Sequence, residues 1–380
     1  MKIWIIDPQL TAERRLWIEG WVRHSRHQIL AFTLPPPPGM PIGLSPALAR
    51  ERARQLARRI RRHLTGSAAR DPSRQPLGLP DLVLLTDGLD GLEFVGEIGD
   101  LLAGIPLWIY WHTSAMASPK ASTPDEIAVE IRTARAVERC VFHGRRQRQD
   151  FLSALSRYEP ALAPRIERHA AVLPPGFDPL PLPSEARSFR EPLVLWILRG
   201  EPEGIPMLIA ALDHPALRPL NFQVLLLSER PESETPRVQR LPPRPRARIL
   251  GILSPEASEI RRWAPAARAV VDGSIRIHSP IHLTRLAFEG PWPLVPESSG
   301  LLDALPEALG SQCAYRSPED LAERLRILLA DPPPDSREIR QALAAWRWSG
   351  MAPRYDELCE TALGHPSGPT HTDDHSSRAT

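Results

Sequence analysis

Lysine is almost missing from this chain of 380 residues. It occurs only as Lys2 and Lys120, so nearly all of the 47 basic residues are arginine. Set beside 44 prolines, the bias reads as GC-rich coding as much as design, and any single arginine signifies less. Cysteine is scarce too. Cys140, Cys313 and Cys359 lie far apart with no C-x-x-C pair, which argues against a zinc or redox motif and against a disulfide framework. A reducing cytoplasm fits that usage. Neither sign of charge dominates: the net charge of +2 does not mark the chain as a polycation. No apolar run is long enough for a bilayer, which takes about 20 residues, so no membrane partner is expected. The opening "MKIWIID" meets an aspartate at once and has no signal-peptide core.

What is present suits two domains with real cores, since 42% of the residues are hydrophobic. "KIWIID" (2–7), "HQILAFTL" (27–34), "DLVLLTD" (81–87), "PLWIYWH" (106–112), "RCVFHG" (139–144) and "HAAVLPPG" (169–176) read as strands. Several end in a polar residue, and in open α/β sheets ligands meet the carboxyl ends of strands. A helix follows the first strand, and "PPPPGMPIGLSP" must be loop. An arginine-dense helix then spans 47–64. After a proline-rich stretch the pattern restarts with "LVLWILRG" (193–200), "NFQVLLLSER" (221–230), "ARILGIL" (247–253) and "ARAVVDGS" (267–274), with "PEASEIRRWAPA" as a helix between the last two. The expectation is α/β: two Rossmann-like doubly wound domains facing a cleft. Their spans are 1–176 and 192–334, with a linker at 177–191. A closing helix at 335–363 crosses back, and a disordered tail occupies 364–380.

Six strings carry a resemblance: "SRHQILAFTLP", "DLVLLTDGLDGLEFVG", "GIPLWIYWH", "FQVLLLSER", "PWPLVPES" and "WRWSGMAPRYDEL". In this order they resemble the tRNA-queuosine α-mannosyltransferase family, of GT-B fold, over residues 2–360. The resemblance implies a retaining transfer of mannose from GDP-mannose, as co-substrate without further cofactor, to queuosine in tRNA. It makes tRNA and a sugar nucleotide the implied partners. The first domain would be the acceptor side and the second the donor side.

The family's donor and acceptor motifs are only partly retained. Its first loop has glycines where this chain has "DPQLTAER", and its W-x-W-R-M-R-G segment falls at "PPPPGMPIGLS". Its F-H-E-N-Q becomes "WHTSA", keeping His112 with Thr113 in the acid's place. "WILRGEPEGIP" keeps Arg199 and Glu201 but puts Gly204 where the family has a lysine. Arginine there would stabilise charge on a departing diphosphate. Glu229 in "LLLSER" matches a family glutamate. The two donor carboxylates fall, without gaps, at Ile277 beside Arg276 and at Arg285. Two arginines can meet phosphate but cannot accept hydrogen bonds from ribose hydroxyls.

Two readings stay open at each candidate. His112 is a catalytic acid/base or acceptor contact, or a satisfied structural histidine. Arg199, Glu201, Glu229, Arg276 and Arg285 are donor-binding residues, or ordinary surface and strand-end groups. Arg50, Arg54, Arg58, Arg61 and Arg62, opposed within their helix only by Glu51, are a tRNA footprint or a solvated face. No aromatics interleave with them, so stacking on bases is not expected there. For the whole chain the alternative to a glycosyltransferase is a catalytically lapsed relative that binds RNA or a protein partner.

Overall fold

A computed structural model describes residues 1–36, 45–65, 78–118, 122–181, 192–199, 204–274, 278–330 and 335–364. The first half contains strands β1 (Lys2–Asp7), β2 (Gln28–Thr33), β3 (Leu82–Thr86), β4 (Leu107–Trp111), β5 (Arg139–Phe142) and β6 (Ala171–Val172). Helices α1 (Ala12–His24), α2 (Pro46–Thr65), α3 (Gly91–Ile98), α4 (Pro124–Ala136), α5 (Arg145–Tyr158) and α6 (Ala163–His169) connect them. The sheet is parallel in the order β2-β1-β3-β4-β5-β6.

The second half contains β7 (Leu193–Leu198), β8 (Gln223–Ser228), β9 (Ile249–Leu253), β10 (Ala267–Asp272), β11 (Trp292–Pro296) and β12 (Ala314–Tyr315). Its helices are α7 (Gly204–Asp213), α8 (Pro231–Gln239), α9 (Pro243–Ala247), α10 (Ile260–Trp263), α11 (Ile281–Glu289), α12 (Glu307–Cys313) and α13 (Pro318–Ala330). This sheet is parallel too, in the order β12-β11-β10-β7-β8-β9. Both are doubly wound. The strand order reverses between β1 and β3 in the first sheet, and between β7 and β10 in the second. Crevices for ligands open at such points, beyond the strands' carboxyl ends.

β1 shows why these runs become central strands. Ile3 and Ile5 enter one core, and Trp4 and Ile6 enter the core on the sheet's other side. A strand buried on both faces reads as a continuous apolar run. The core holding Ile3 and Ile5 continues through Trp17, Phe177 and Trp348 to Trp196 and Leu198 of the second sheet. One apolar body therefore joins the two domains.

Three elements differ from the sequence reading. The span 335–363 forms two helices, α14 (Arg337–Ala344) and α15 (Trp348–Ala362). At the break, Phe177 N–H donates to the Trp346 carbonyl (3.1 Å) and Trp348 N–H donates to the Phe177 carbonyl (3.0 Å). These bonds turn the chain from α14, packed on α11, to α15, packed on α1. The span 255–266 narrows to α10 and a short 3-10 turn, because Pro265 cannot continue a helix interior. α8 was hidden by Pro231 and Pro236. Its start tolerates Pro231, where no intrahelical N–H is needed. The tail beyond 364, and 182–191 of the linker, lie outside the described residues.

α15 completes the crossing. Trp21 Nε1 donates to Asp356 (3.0 Å), Ser25 Oγ donates to Asp356 (2.6 Å), and Arg26 pairs with Glu360 (2.5 Å). Trp17 Nε1 donates to the Tyr355 hydroxyl (3.1 Å), which donates to Tyr110 (3.1 Å). Gly20 and Gly176 lie against the Trp348 indole so closely that a Cβ at either would overlap it.

Candidate functional site

The two switch points open onto one cavity of about 430 Å³ between the domains. On the first-domain wall, Arg14 of α1 reaches across the ends of β1 and β3. Its Nη2 meets Asp87 Oδ2 at 2.6 Å and its Nη1 lies 3.5 Å from Asp7 Oδ2. Thr86 Oγ1 donates to Asp7 (3.0 Å). Burial raises the pKa of Asp7 against the opposing pull of Arg14. Asp87 also accepts from the His112 N–H (2.8 Å) and the Thr113 hydroxyl (2.6 Å). The carboxylate at the end of β3 thus fixes the chain as it leaves β4.

His112 is held edge-on to Trp17, with centroids 4.8 Å apart, and beside Tyr110 at 4.7 Å. Trp17 and Tyr110 are themselves tied to Tyr355 of the crossing helix, so α15 sets the imidazole's surroundings. Neither ring nitrogen of His112 has a hydrogen-bond partner among the described residues. Burial, with help from Arg14 and His143, holds its pKa well below the ordinary value. At neutral pH His112 is an uncharged imidazole on the cavity wall. Next to it, Thr113 forms an antiparallel bridge with His278 of the second domain. Behind it, Glu130 of α4 accepts from Ser114 Oγ (2.8 Å), Ala115 N–H (2.6 Å) and Met116 N–H (2.9 Å). Burial pushes the Glu130 carboxyl up to about 8 despite these donors.

On the second-domain wall Arg199 follows β7. Its Nη1 meets Glu13 of α1 at 2.6 Å, and its Nη2 meets Asp272, the last residue of β10, at 3.2 Å. Burial opposes the guanidinium's charge, but Glu13 and Asp272 together outweigh it and raise its pKa above the ordinary value. Glu13 Oε1 also accepts from the His282 N–H in the first turn of α11 (3.4 Å). In return Glu229, after β8, accepts from the Glu13 N–H in the first turn of α1 (3.1 Å) and lies 3.6 Å from His282 Nε2. A third contact of this kind lies at the rim, where Asp303 accepts from the Arg145 N–H at the start of α5. Three helix N-termini on the cleft, each a site for negative charge, are therefore met by a carboxylate of the opposite domain.

No protein-family model matches the chain, and no curated protein matches it in sequence. Solved structures do match. Sucrose-phosphate synthase from Thermosynechococcus elongatus gives a TM-score of 0.62 at 15% identity, over 96% of this chain and 99% of that one. Anabaena HepE in complex with UDP and glucose gives 0.61 at 15% identity, over 96% and 99%. The apo structure of OtsA gives 0.62 at 10% identity, over 94% and 99%. This is the GT-B glycosyltransferase fold. At such identities the likeness establishes the architecture alone.

Within this GT-B frame the sequence candidates separate. His112, Arg199 and Glu229 line the common cavity. Glu201 and Arg276 lie outside the described residues. Arg285 is not brought to the cavity: it sits almost a turn beyond His282 on α11, and its Nε donates to the Asp178 carbonyl (3.0 Å). Arg54, Arg58 and Arg61 of α2 reach acids on α3 or just after it, while Arg50, Arg58 and Arg62 remain exposed. Arg54 pairs with Glu93 (2.6 Å), Arg58 with Glu97 (3.6 Å) and Arg61 with Asp100 (2.5 Å). Arg50 Nε donates to the Pro46 carbonyl (3.3 Å) and Arg62 Nε to the Arg58 carbonyl (3.4 Å). The stripe read as opposed only by Glu51 is thus partly neutralised, at Arg54, Arg58 and Arg61, while Arg50 and Arg62 meet only carbonyls of their own helix.

Sequence reasoning missed Glu13, Arg14 and His282 as cavity groups and Asp272 as the partner of Arg199. Asp272 carried a signal, since it ends an apolar strand. Glu13 carried none, because an acid in a helix's first turn is ordinary dipole chemistry.

Proposed function

We propose that the protein is a glycosyltransferase that takes a nucleoside-diphosphate sugar into the interdomain cavity and passes the sugar to a hydroxyl acceptor. The observation that carries this is Arg199. It is a buried cation at the second switch point, facing a cavity large enough for a nucleotide-sized ligand. A diphosphate arriving there exchanges with Glu13, which belongs to the other domain, so donor entry is tied to opening of the cleft. Arg199 and the first turn of α11 then meet the charge that grows on the leaving group. His112, uncharged and unpartnered, accepts a hydrogen bond from the acceptor side.

The finer reading follows the six strings, not the geometry: GDP-mannose as donor and queuosine in tRNA as acceptor. HepE has been solved with UDP and glucose, so uridine and guanosine donors both belong in the test. A second reading is favoured by the carboxylates already seated on Arg199. In it the frame survives as an RNA- or partner-binding module without transfer. Calorimetry with UDP, GDP, UDP-glucose and GDP-mannose separates them. Micromolar binding of one sugar nucleotide, lost in Arg199→Ala, supports the transferase. Binding of none leaves the module.

A further inference from the structure

Arg54, Arg58 and Arg61 of α2 are paired with carboxylates, but most of a second basic stretch is not. Between Thr235 and Pro255 the chain has five arginines and no acid: Arg237, Arg240, Arg244, Arg246 and Arg248. They fall on the end of α8, on α9, and on the turn into β9, the edge strand of the second sheet. Arg240, Arg244 and Arg246 are exposed. None of the three has a carboxylate partner among the described residues; Arg246 Nη1 donates only to the Gln239 carbonyl (3.0 Å). Arg248 lies over the Phe222 ring at 4.1 Å, donates to the Leu217 carbonyl (2.9 Å), and keeps Nη1 without a partner. Burial lowers its pKa, and the positive charge of nearby Arg244 adds to that effect. Arg237 pairs with Glu234 (3.4 Å), but the protein holds the other four together without a carboxylate partner among the described residues.

We propose that the α8–α9 corner is a binding surface for the phosphate backbone of an RNA. Guanidinium forks match phosphate oxygens in a way that suits them to this ligand. Pro242, Pro243 and Pro245 fix the backbone that carries them, which lowers the ordering cost of binding. The surface reads charge and shape, not bases, because the stretch has no aromatic residue to stack on. A lipid surface suits it poorly. Leu250 is the only large exposed apolar side chain described between 231 and 255, and membrane insertion needs an apolar face. The patch also leads somewhere. Arg237 lines the cavity, so a strand lying along Arg240, Arg244 and Arg246 passes the cavity's mouth. The choice of RNA over DNA rests on the tRNA acceptor of the finer functional reading; the binding of a phosphate backbone does not.

The test is fluorescence anisotropy on the full chain with a labelled tRNA-sized RNA, duplex DNA of equal length, polyglutamate, and vesicles rich in phosphatidylserine. RNA affinity should fall steeply with salt. In the triple variant Arg240→Ala, Arg244→Ala, Arg246→Ala it should drop about tenfold or more, with the log–log salt slope shallower by roughly 2–3. The corresponding triple lysine variant should keep most of the affinity, which separates lost charge from lost folding. Arg54→Ala, Arg58→Ala, Arg61→Ala should leave both quantities nearly unchanged. No RNA binding, an unchanged slope in the first variant, or tighter binding to polyglutamate or vesicles overturns the proposal. Tighter binding to duplex DNA overturns the choice of RNA. Calorimetry with the sugar nucleotides reads the transferase proposal separately, so either can fail alone.

Discussion

Glu13 of the first domain and Arg199 of the second form a 2.6 Å ion pair across the cleft, with side chains only 10% and 6% exposed. The pair places a carboxylate on the cation that the proposed function assigns to the donor diphosphate. It also ties helix α1 of the first domain to the end of β7. In Glu13→Gln the charge competing for Arg199 is gone while the shape is kept. Affinity for UDP or GDP should rise about tenfold, since a charged competitor is replaced by a neutral one. Calorimetry on both proteins checks this, and equal affinities would detach Glu13 from ligand binding.

A second expectation concerns pH. Burial raises the Glu130 carboxyl from its ordinary 4.5 to about 8. A carboxyl raised in the folded state contributes stability that is full below about 4.5 and lost as pH climbs through about 8. His143 is shifted the other way, from 6.5 to about 3, by burial and then by His278 and Arg199. A histidine held neutral contributes stability that is present above its unfolded value and lost as pH falls toward about 3. Urea midpoints from pH 4 to 9 should therefore decline at both ends. Glu130→Gln should flatten the alkaline limb and His143→Gln the acid limb. Unchanged limbs would show that other groups set the profile.

The contact of Trp348 with Gly20 makes a sharper prediction. Alanine inside a helix is ordinarily better than glycine by about 0.5–1 kcal/mol. At Gly20 the added methyl overlaps the indole, so α15 must shift off α1. Overpacking of this kind costs about 1–3 kcal/mol, so Gly20→Ala should be net destabilising in denaturant titration. A stabilised variant would mean that α15 yields easily.

Asp303 tests the rim contact. Among the described residues it alone offers a side chain to the start of α5, whose own cap residue, Gly144, has none. Asp303→Ala should cost about 0.5–2 kcal/mol, as loss of a helix cap does, and should raise the radius of gyration in small-angle scattering. Stability lost without expansion would assign Asp303 to local capping alone.

Much of the architecture was legible because central parallel strands must be apolar on both faces. "KIWIID", "LVLLTD" and "ARAVVD" announce themselves by composition and by the polar residue that ends each. His112 and Arg199 were legible for the same reason: each stands just beyond such a strand, where a doubly wound sheet opens. The partners of those residues were not legible. Glu13 and Arg199 are 186 positions apart, and only the packing of α1 against the second domain makes them a pair. Arg54, Arg58 and Arg61 looked unopposed because their acids lie on α3 and in the turn after it, far along the chain from α2. A sequence fixes which charges a chain carries and which runs must be buried. Whether a charge is spent inside the protein or left for a ligand depends on distances of a few ångströms between segments far apart in the chain, and only the tertiary structure sets those.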